Sequence, residues 1–217
     1  MFKFHLNKKI FWFVALLIII ANSILTIYIY KQKQETIQSR AFERSESLKD
    51  YFISMRYVYH QQFLNSGLDI NDSTIGFLPA HASTLISEKF TEFSKDKISI
   101  RNVTDRPRNP KNMADRFELE AIEFYKNNPD KREGRIQRVQ QESEEILHYT
   151  APLVIEKYCI ACHGKKEEVL PTIRERYDTA YDYNIGDIRG VTSIKIHIDE
   201  LEKAAISSFY KTTFFTW

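Results

Sequence analysis

The stretch Cys159-Ile160-Ala161-Cys162-His163 decides how the rest of the chain is interpreted. Two cysteines separated by two residues and followed at once by a histidine form the attachment pattern of c-type haem. On one helical turn the two thiols lie along the same edge, where each can bond one haem vinyl group. The histidine can then bind the iron as an axial ligand. The stretch therefore predicts one covalent haem on Cys159 and Cys162, with His163 as an iron ligand.

Two other chemistries use such a cysteine pair, namely thiol–disulfide exchange and zinc binding. These are the only two cysteines in the sequence, so no structural disulfide competes for them. A closed zinc site would need a second pair of Cys or His at short spacing, which the sequence lacks. Haem is the favoured interpretation if the motif is exported, and thiol exchange stays open as an alternative.

An uncharged run over residues 10–30 has the length needed to cross a bilayer as a helix. It follows a basic leader, residues 1–9, but it is too long for a typical signal-peptide core and has no small-x-small cleavage site. We therefore expect an uncleaved, single-pass anchor in a bacterial inner membrane. In this topology the leader stays in the cytoplasm and the C-terminal domain lies in the periplasm.

Residues 31–66 contain no glycine or proline and predict a long periplasmic helix. An apolar stripe along this helix includes Met55, and His60 lies at its edge. Thioether sulfur and imidazole are both known axial ligands of haem iron. Met55 or His60 is therefore a candidate for the second axial ligand, and a vacant or water-filled sixth position is the third possibility.

Residues 67–200 predict an α+β domain, an antiparallel sheet with helices on one face. Residues 130–145 are highly charged and predict an exposed loop or a short solvated helix, and residues 201–217 predict a terminal helix whose aromatic residues approach the membrane. The predicted helices cover residues 80–93 and 114–127, and the predicted strands cover residues 98–103, 146–155 and 194–198.

The segment Arg106-Pro107-Arg108-Asn109-Pro110-Lys111-Asn112 predicts a rigid, irregular loop. Arg106 and Arg108 are candidates to contact the two haem propionates, because a guanidinium group matches carboxylate geometry. A solvated basic turn explains the same residues equally well. His81 is expected on the surface near a helix end, and His148 has no assigned role.

The overall composition narrows the range of functions. The 217 residues have a formal net charge of +2, and 28% of them are charged, so charge alone does not indicate nucleic-acid binding. The sequence shows no Ser/His/Asp set and no paired carboxylates typical of an active site. We predict that the chain is not an enzyme.

The order of the motifs resembles the periplasmic c-type haem sensor domains with a PAS-like fold, a family once catalogued as a domain of unknown function. The resemblance covers roughly residues 35–200. In that family the motif cysteines bind haem and the following histidine ligates iron, which corresponds here to Cys159, Cys162 and His163. The residues that carry the resemblance are Pro79-Ala80-His81-Ala82-Ser83, Ile100-Arg101, the 106–112 segment, Glu118, Tyr149-Thr150-Ala151-Pro152, Cys159 to Gly164, Tyr177 and Gly186-Asp187-Ile188-Arg189-Gly190. The chain departs from the family at Asn112-Met113-Ala114-Asp115, where Asn-Ala-Pro-Asp is usual.

The resemblance implies a sensor of redox state or of a diatomic gas. Such domains precede histidine kinases, diguanylate cyclases and chemoreceptors, so the expected partner is a signalling protein of this kind or an output domain beyond this sequence. A homodimer is also a candidate assembly. The alternative function is a membrane-tethered monohaem electron carrier, which would need a six-coordinate iron and an exposed haem edge.

Overall fold

The computed structural model describes residues 8–95, 97–141 and 143–198. The described residues up to Arg40 form one compact unit, and the described residues from Ala41 onward form a second unit. The predicted terminal helix over 201–217 lies outside the described residues, as does most of the predicted leader. The boundaries and compartments assigned from the sequence stay predictions.

The first helix, α1, covers Lys8–Asn65 and is long and apolar enough to cross a membrane. Three polar side chains interrupt its apolar part, and each donates a hydrogen bond to the carbonyl oxygen four residues earlier. The distance is 2.8 Å for Asn22, Ser23 and Thr26 alike. Because these groups are satisfied within the helix, they do not prevent it from lying in an apolar environment.

In its described residues, the second unit combines four further helices with four strands. The helices are α2 (Pro79–Phe93), α3 (Arg116–Asn127), α4 (Ile160–His163) and α5 (Pro171–Arg176), and the strands are β1 (Ile98–Val103), β2 (Arg135–Gln141), β3 (Glu144–Val154) and β4 (Ile188–His197). Short 3₁₀ turns cover Ile75–Phe77, Pro110–Asn112 and Lys157–Cys159.

The strands form one antiparallel sheet in the order β1-β4-β3-β2, which confirms the predicted α+β class. The prediction of a loop or solvated helix over 130–145 is wrong, because β2 pairs with β3 along its whole length. The strand β2 is at the edge of the sheet, and Val139 is its one buried residue. A mostly polar edge strand of this kind carries almost none of the apolar alternation by which strands are recognised.

Helices cover both faces of the sheet, which corrects the prediction of helices on one face. Successive strand residues point to opposite faces. The Tyr149 hydroxyl on β3 donates to the Glu46 carboxylate on α1. Lys195 on β4 lies directly across from His148 on β3, and it binds Asp115 at the start of α3. The sheet is therefore held between α1 and α3, and β3 leads out of it towards the cysteine motif.

Candidate functional site

A cleft of about 810 Å³, counted with the space open to solvent, lies beyond the end of β3. It is built from segments that are distant in sequence. The walls come from α1, the start of α2, the 104–112 loop, the cysteine motif, the α5 region and the start of β4. Both motif cysteines and His163 line this one cleft, as the sequence predicts for a single site.

The cysteine motif begins on a 3₁₀ turn and continues into α4, so its residues are spaced on a helical path. Cys159 is buried with 9% of its surface exposed, and its Sγ atom accepts a hydrogen bond of 3.4 Å from the Glu156 amide. Cys162 is half-buried, and both thiols are free. Burial raises the pKa of the Cys162 thiol, although the nearby Arg108 charge opposes this effect.

His163 is held by the backbone in the orientation that a metal ligand needs. Its Nδ1 atom lies 2.9 Å from the carbonyl oxygen of Ala180, so Nδ1 carries the proton and donates it. The Nε2 atom lies 3.4 Å from Nη1 of Arg189, which can only donate. Burial lowers the pKa of His163 well below its usual value, and the charges of Arg189 and Arg108 lower it further. The imidazole ring of His163 is therefore neutral near pH 7. Its Nε2 atom carries a lone pair that faces Arg189 in the cleft.

Arg108 connects the motif to the segment that orients His163. Its Nη2 atom donates to the carbonyl oxygens of Cys162 at 2.6 Å and Ala180 at 3.1 Å, and its Nε atom donates to Thr179 at 3.1 Å. Its guanidinium group also lies over the Tyr181 ring, 4.6 Å from the centroid. These contacts use most of its donors, so Arg108 has a positioning role that the sequence did not predict.

Arg106, the other predicted propionate contact, is more available to a ligand. It lines the cleft, its side chain is exposed, and its guanidinium group lies 4.5 Å from the centre of the Tyr183 ring. Stacking of this kind orients a guanidinium plane while leaving its N–H groups free for an anion.

Two further arginines in the cleft, Arg56 and Arg189, were given no role by the sequence analysis. Arg56 lies one turn before His60 on α1, a spacing that places both on one helix face. Arg189 follows the Gly186-Asp187 turn at the start of β4. Burial lowers its pKa to about 10, and the charge of Arg56 contributes. Among the described residues that line the cleft there are four arginines and no Asp or Glu.

The structure distinguishes between the two candidates for the second axial ligand of the haem iron. His60 lines the cleft, whereas Met55 is not among the described residues that do so. The Nε2 atom of His60 is buried without a hydrogen-bond partner in the described part of the chain. Burial lowers the pKa of His60, which keeps the ring neutral and able to bind a metal.

His81 lies in the cleft and is half-buried, so it is less exposed than the predicted surface position suggests. Its Nε2 atom lies 3.1 Å from the Tyr177 hydroxyl. A histidine in the first turn of a helix is commonly exposed. Here Tyr177, which follows α5, comes from almost a hundred residues later in the chain, and no local sequence pattern indicates that contact.

The donor set fits a haem. The cleft offers two thiols for covalent attachment, one imidazole oriented by a backbone carbonyl, and an arginine-rich wall for two carboxylates. The buried Nε atom of Arg56 and Nε2 atom of His60 have no hydrogen-bond partner in the described residues. Buried polar atoms are normally paired, so both atoms indicate that a ligand completes the cleft.

The fold and the cleft define an α+β domain that carries a thiol–imidazole site and an N-terminal apolar helix. The model of the Tll0287-like family matches residues 32–197, which is more than half of the sequence, so the chain belongs to this family. This result confirms the family resemblance predicted from the motifs.

One solved structure that resembles the chain is described as the crystal structure of the cyanobacterial haem-protein Tll0287. The TM-score is 0.52 with 20% sequence identity, and the match covers 70% of this chain and 95% of that chain. At this identity the likeness shows a shared fold. None of the curated proteins compared with the chain matches it.

Proposed function

We propose that the chain is a membrane-anchored, periplasmic sensor that carries one covalent haem c on Cys159 and Cys162. The observation that carries this proposal is the convergence of both thiols and His163 on one cleft, with Nδ1 of His163 donating to the Ala180 carbonyl. That hydrogen bond leaves the lone pair on Nε2, which faces Arg189 at 3.4 Å, as the group that would bind the iron. The name of the cyanobacterial structure, a haem protein, supports the same cofactor.

The other cleft residues have different roles in this proposal. Arg106 binds a propionate at the exposed side of the cleft, and Arg108 holds the backbone that orients His163. His60 is the preferred second ligand, because it lines the cleft and its Nε2 atom is unpartnered in the described residues. When bound, the haem supplies a redox-active iron whose sixth position can exchange ligands.

Sensing requires that a change at the iron reaches another part of the protein. Helix α1 contributes Arg56 and His60 to the cleft, and the same helix includes the apolar segment over 10–30. A change of oxidation state or of the sixth ligand would therefore act on α1 directly. The output partner in this proposal is a signalling protein such as a histidine kinase or a diguanylate cyclase, and the chain itself has no catalytic role. The PAS-like classification and a homodimeric assembly belong to the same proposal.

Covalent haem can be tested on the full chain, produced in bacteria that mature c-type cytochromes and solubilised in detergent. We expect a haem stain that persists on a denaturing gel, and no stain in the double variant Cys159→Ser/Cys162→Ser. Replacing His163 by Ala should alter the iron spectrum, whereas His197→Ala should not, because His197 lies on β4 and pairs with Glu144. Colourless protein with both thiols free to alkylate would contradict the proposal.

A second measurement separates a gas sensor from an electron carrier. Ferrous protein is exposed to CO and NO, and its absorbance is recorded. Binding of either gas supports a gas sensor. If neither binds, the remaining functions are a purely redox sensor and the membrane-tethered electron carrier predicted as the alternative. A redox-dependent change in the protease sensitivity of α1 would then favour the redox sensor.

A further inference from the structure

The cleft carries more positive charge than a haem can balance. Its four arginines are Arg56, Arg106, Arg108 and Arg189. None of these four arginines forms an ion pair within the described part of the chain. The ion pairs that arginines form there involve Arg101, Arg116, Arg138 and Arg176. A haem brings two propionates, so about two positive charges stay unbalanced even if each propionate pairs with one arginine. A ferric iron–porphyrin core adds one more.

The unbalanced charge lies close to the proposed iron ligand. The Nη1 atom of Arg189 is 3.4 Å from Nε2 of His163, and the buried Nε atom of Arg56 has no hydrogen-bond partner among the described residues. Arg106 is exposed and suits a propionate, and Arg108 is engaged with backbone carbonyls. Arg56 and Arg189 are therefore the cations left for a second ligand.

We propose that the haem-loaded cleft binds a small inorganic anion at the iron in place of His60, and that Arg56 and Arg189 stabilise it. This inference rests on the proposed function, because the haem supplies the iron. Guanidinium groups removed from water are stabilised by a negative partner, and a neutral ligand such as CO cannot provide one. The ligand class follows from the charge of the cleft: anions of azide or nitrite size are favoured over neutral molecules.

The test is a titration of the ferric, full-length holoprotein with sodium azide at constant ionic strength, followed by absorbance. We expect the azide dissociation constant to rise about tenfold in Arg56→Met and in Arg189→Met, since each removes one charged hydrogen-bond donor group. The charge-retaining variants Arg56→Lys and Arg189→Lys should lose less azide affinity than the Met variants. Arg116→Met is the matched control, because Arg116 is exposed on α3 and pairs with Glu120, and its azide affinity should stay within about twofold.

Imidazole, a neutral iron ligand, distinguishes the charge effect from damage to the cleft. Its affinity should be unchanged within about twofold in both Met variants. Equal losses for azide and imidazole, or unchanged azide affinity in both variants, would overturn the inference. Haem-loaded wild-type protein that binds no azide would also overturn it and would leave the proposed function intact. Protein without covalent haem would refute the proposed function itself.

Discussion

Arg101 on β1 and Glu118 on α3 form a two-point ion pair, with distances of 3.1 Å from Nε to Oε1 and 2.5 Å from Nη2 to Oε2. The Glu118 side chain is fully buried, whereas the Arg101 side chain is 35% exposed. Glu118 also accepts from the Asp115 amide at 2.8 Å, and Asp115 accepts from the Glu118 amide at 3.0 Å, which completes a capping box. One carboxylate therefore joins the start of α3 to the sheet.

Replacing Glu118 by Ala should destabilise the domain by about 3 kcal/mol, because it removes the Glu118 half of the capping box and leaves Arg101 without its carboxylate partner. Urea unfolding measures the change. The control is Glu120→Ala on the same helix, whose pair with Arg116 is exposed and should contribute about 0.5 kcal/mol or less. Similar losses in the two variants would contradict the prediction.

Arg108→Lys should destabilise the cleft although it keeps the charge. A lysine cannot reproduce the planar set of donors that reaches the carbonyls of Cys162, Thr179 and Ala180. We expect a loss of about 2 kcal/mol in the free energy of unfolding and a lower yield of haem-loaded protein. The matched control is Arg174→Lys, which is exposed and donates one hydrogen bond of 3.2 Å to the Glu167 carbonyl. If both variants behave like the wild type, Arg108 has no positioning role.

The stability of the domain should fall as the pH decreases from about 6.5 to about 4. His148 is buried in the sheet with 4% of its surface exposed, and its Nε2 atom lies 2.9 Å from the Ser193 hydroxyl. Its pKa is lowered to about 4, mainly by burial and also by the charges of Lys195 and Arg101, while the charges of Glu118 and Asp115 oppose the shift. The unfolded chain therefore binds more protons than the folded chain in this pH range.

The expected loss is about 3 kcal/mol across that pH range, obtained from a pKa difference of about 2.5 units. Urea unfolding at several pH values measures it. The His148→Gln variant should show a smaller pH slope whatever its stability at pH 7. An unchanged slope would show that other groups cause the effect.

His60→Ala should change the absorbance and electron paramagnetic resonance spectra of the haem, whereas Met55→Leu should leave them unchanged. The reason is that His60 lines the cleft with an unpartnered Nε2 atom in the described residues, and Met55 does not line it. Removing His60 should also strengthen azide binding, because a competing ligand is lost. A spectral change in Met55→Leu alone would reverse the assignment.

The sequence predicted the parts of this protein that depend on local patterns. The apolar alternation at Ile194, Ile196 and Ile198 is matched by their nearly complete burial, and Pro79 begins α2 as expected. The edge strand β2 was missed because its exposed residues, Gln137, Arg138 and Gln140, are polar and do not alternate with buried apolar residues. The cleft contacts of His81 and Arg189 depend on pairings with residues 96 and 26 positions away. Such pairings have no local signature, whereas the Cys-x-x-Cys-His spacing is itself local and could be recognised.

The burial of Cys159 would constrain the order of folding and haem attachment if a haem is joined to this residue. Its thiol has little accessible surface, and the walls around it come from segments that begin with α1 and end with β4. An attachment enzyme could hardly reach this sulfur once those segments have packed. If the cofactor is joined here, the thioether bonds would form on a still open polypeptide, and the porphyrin would then serve as a template on which the last strand closes.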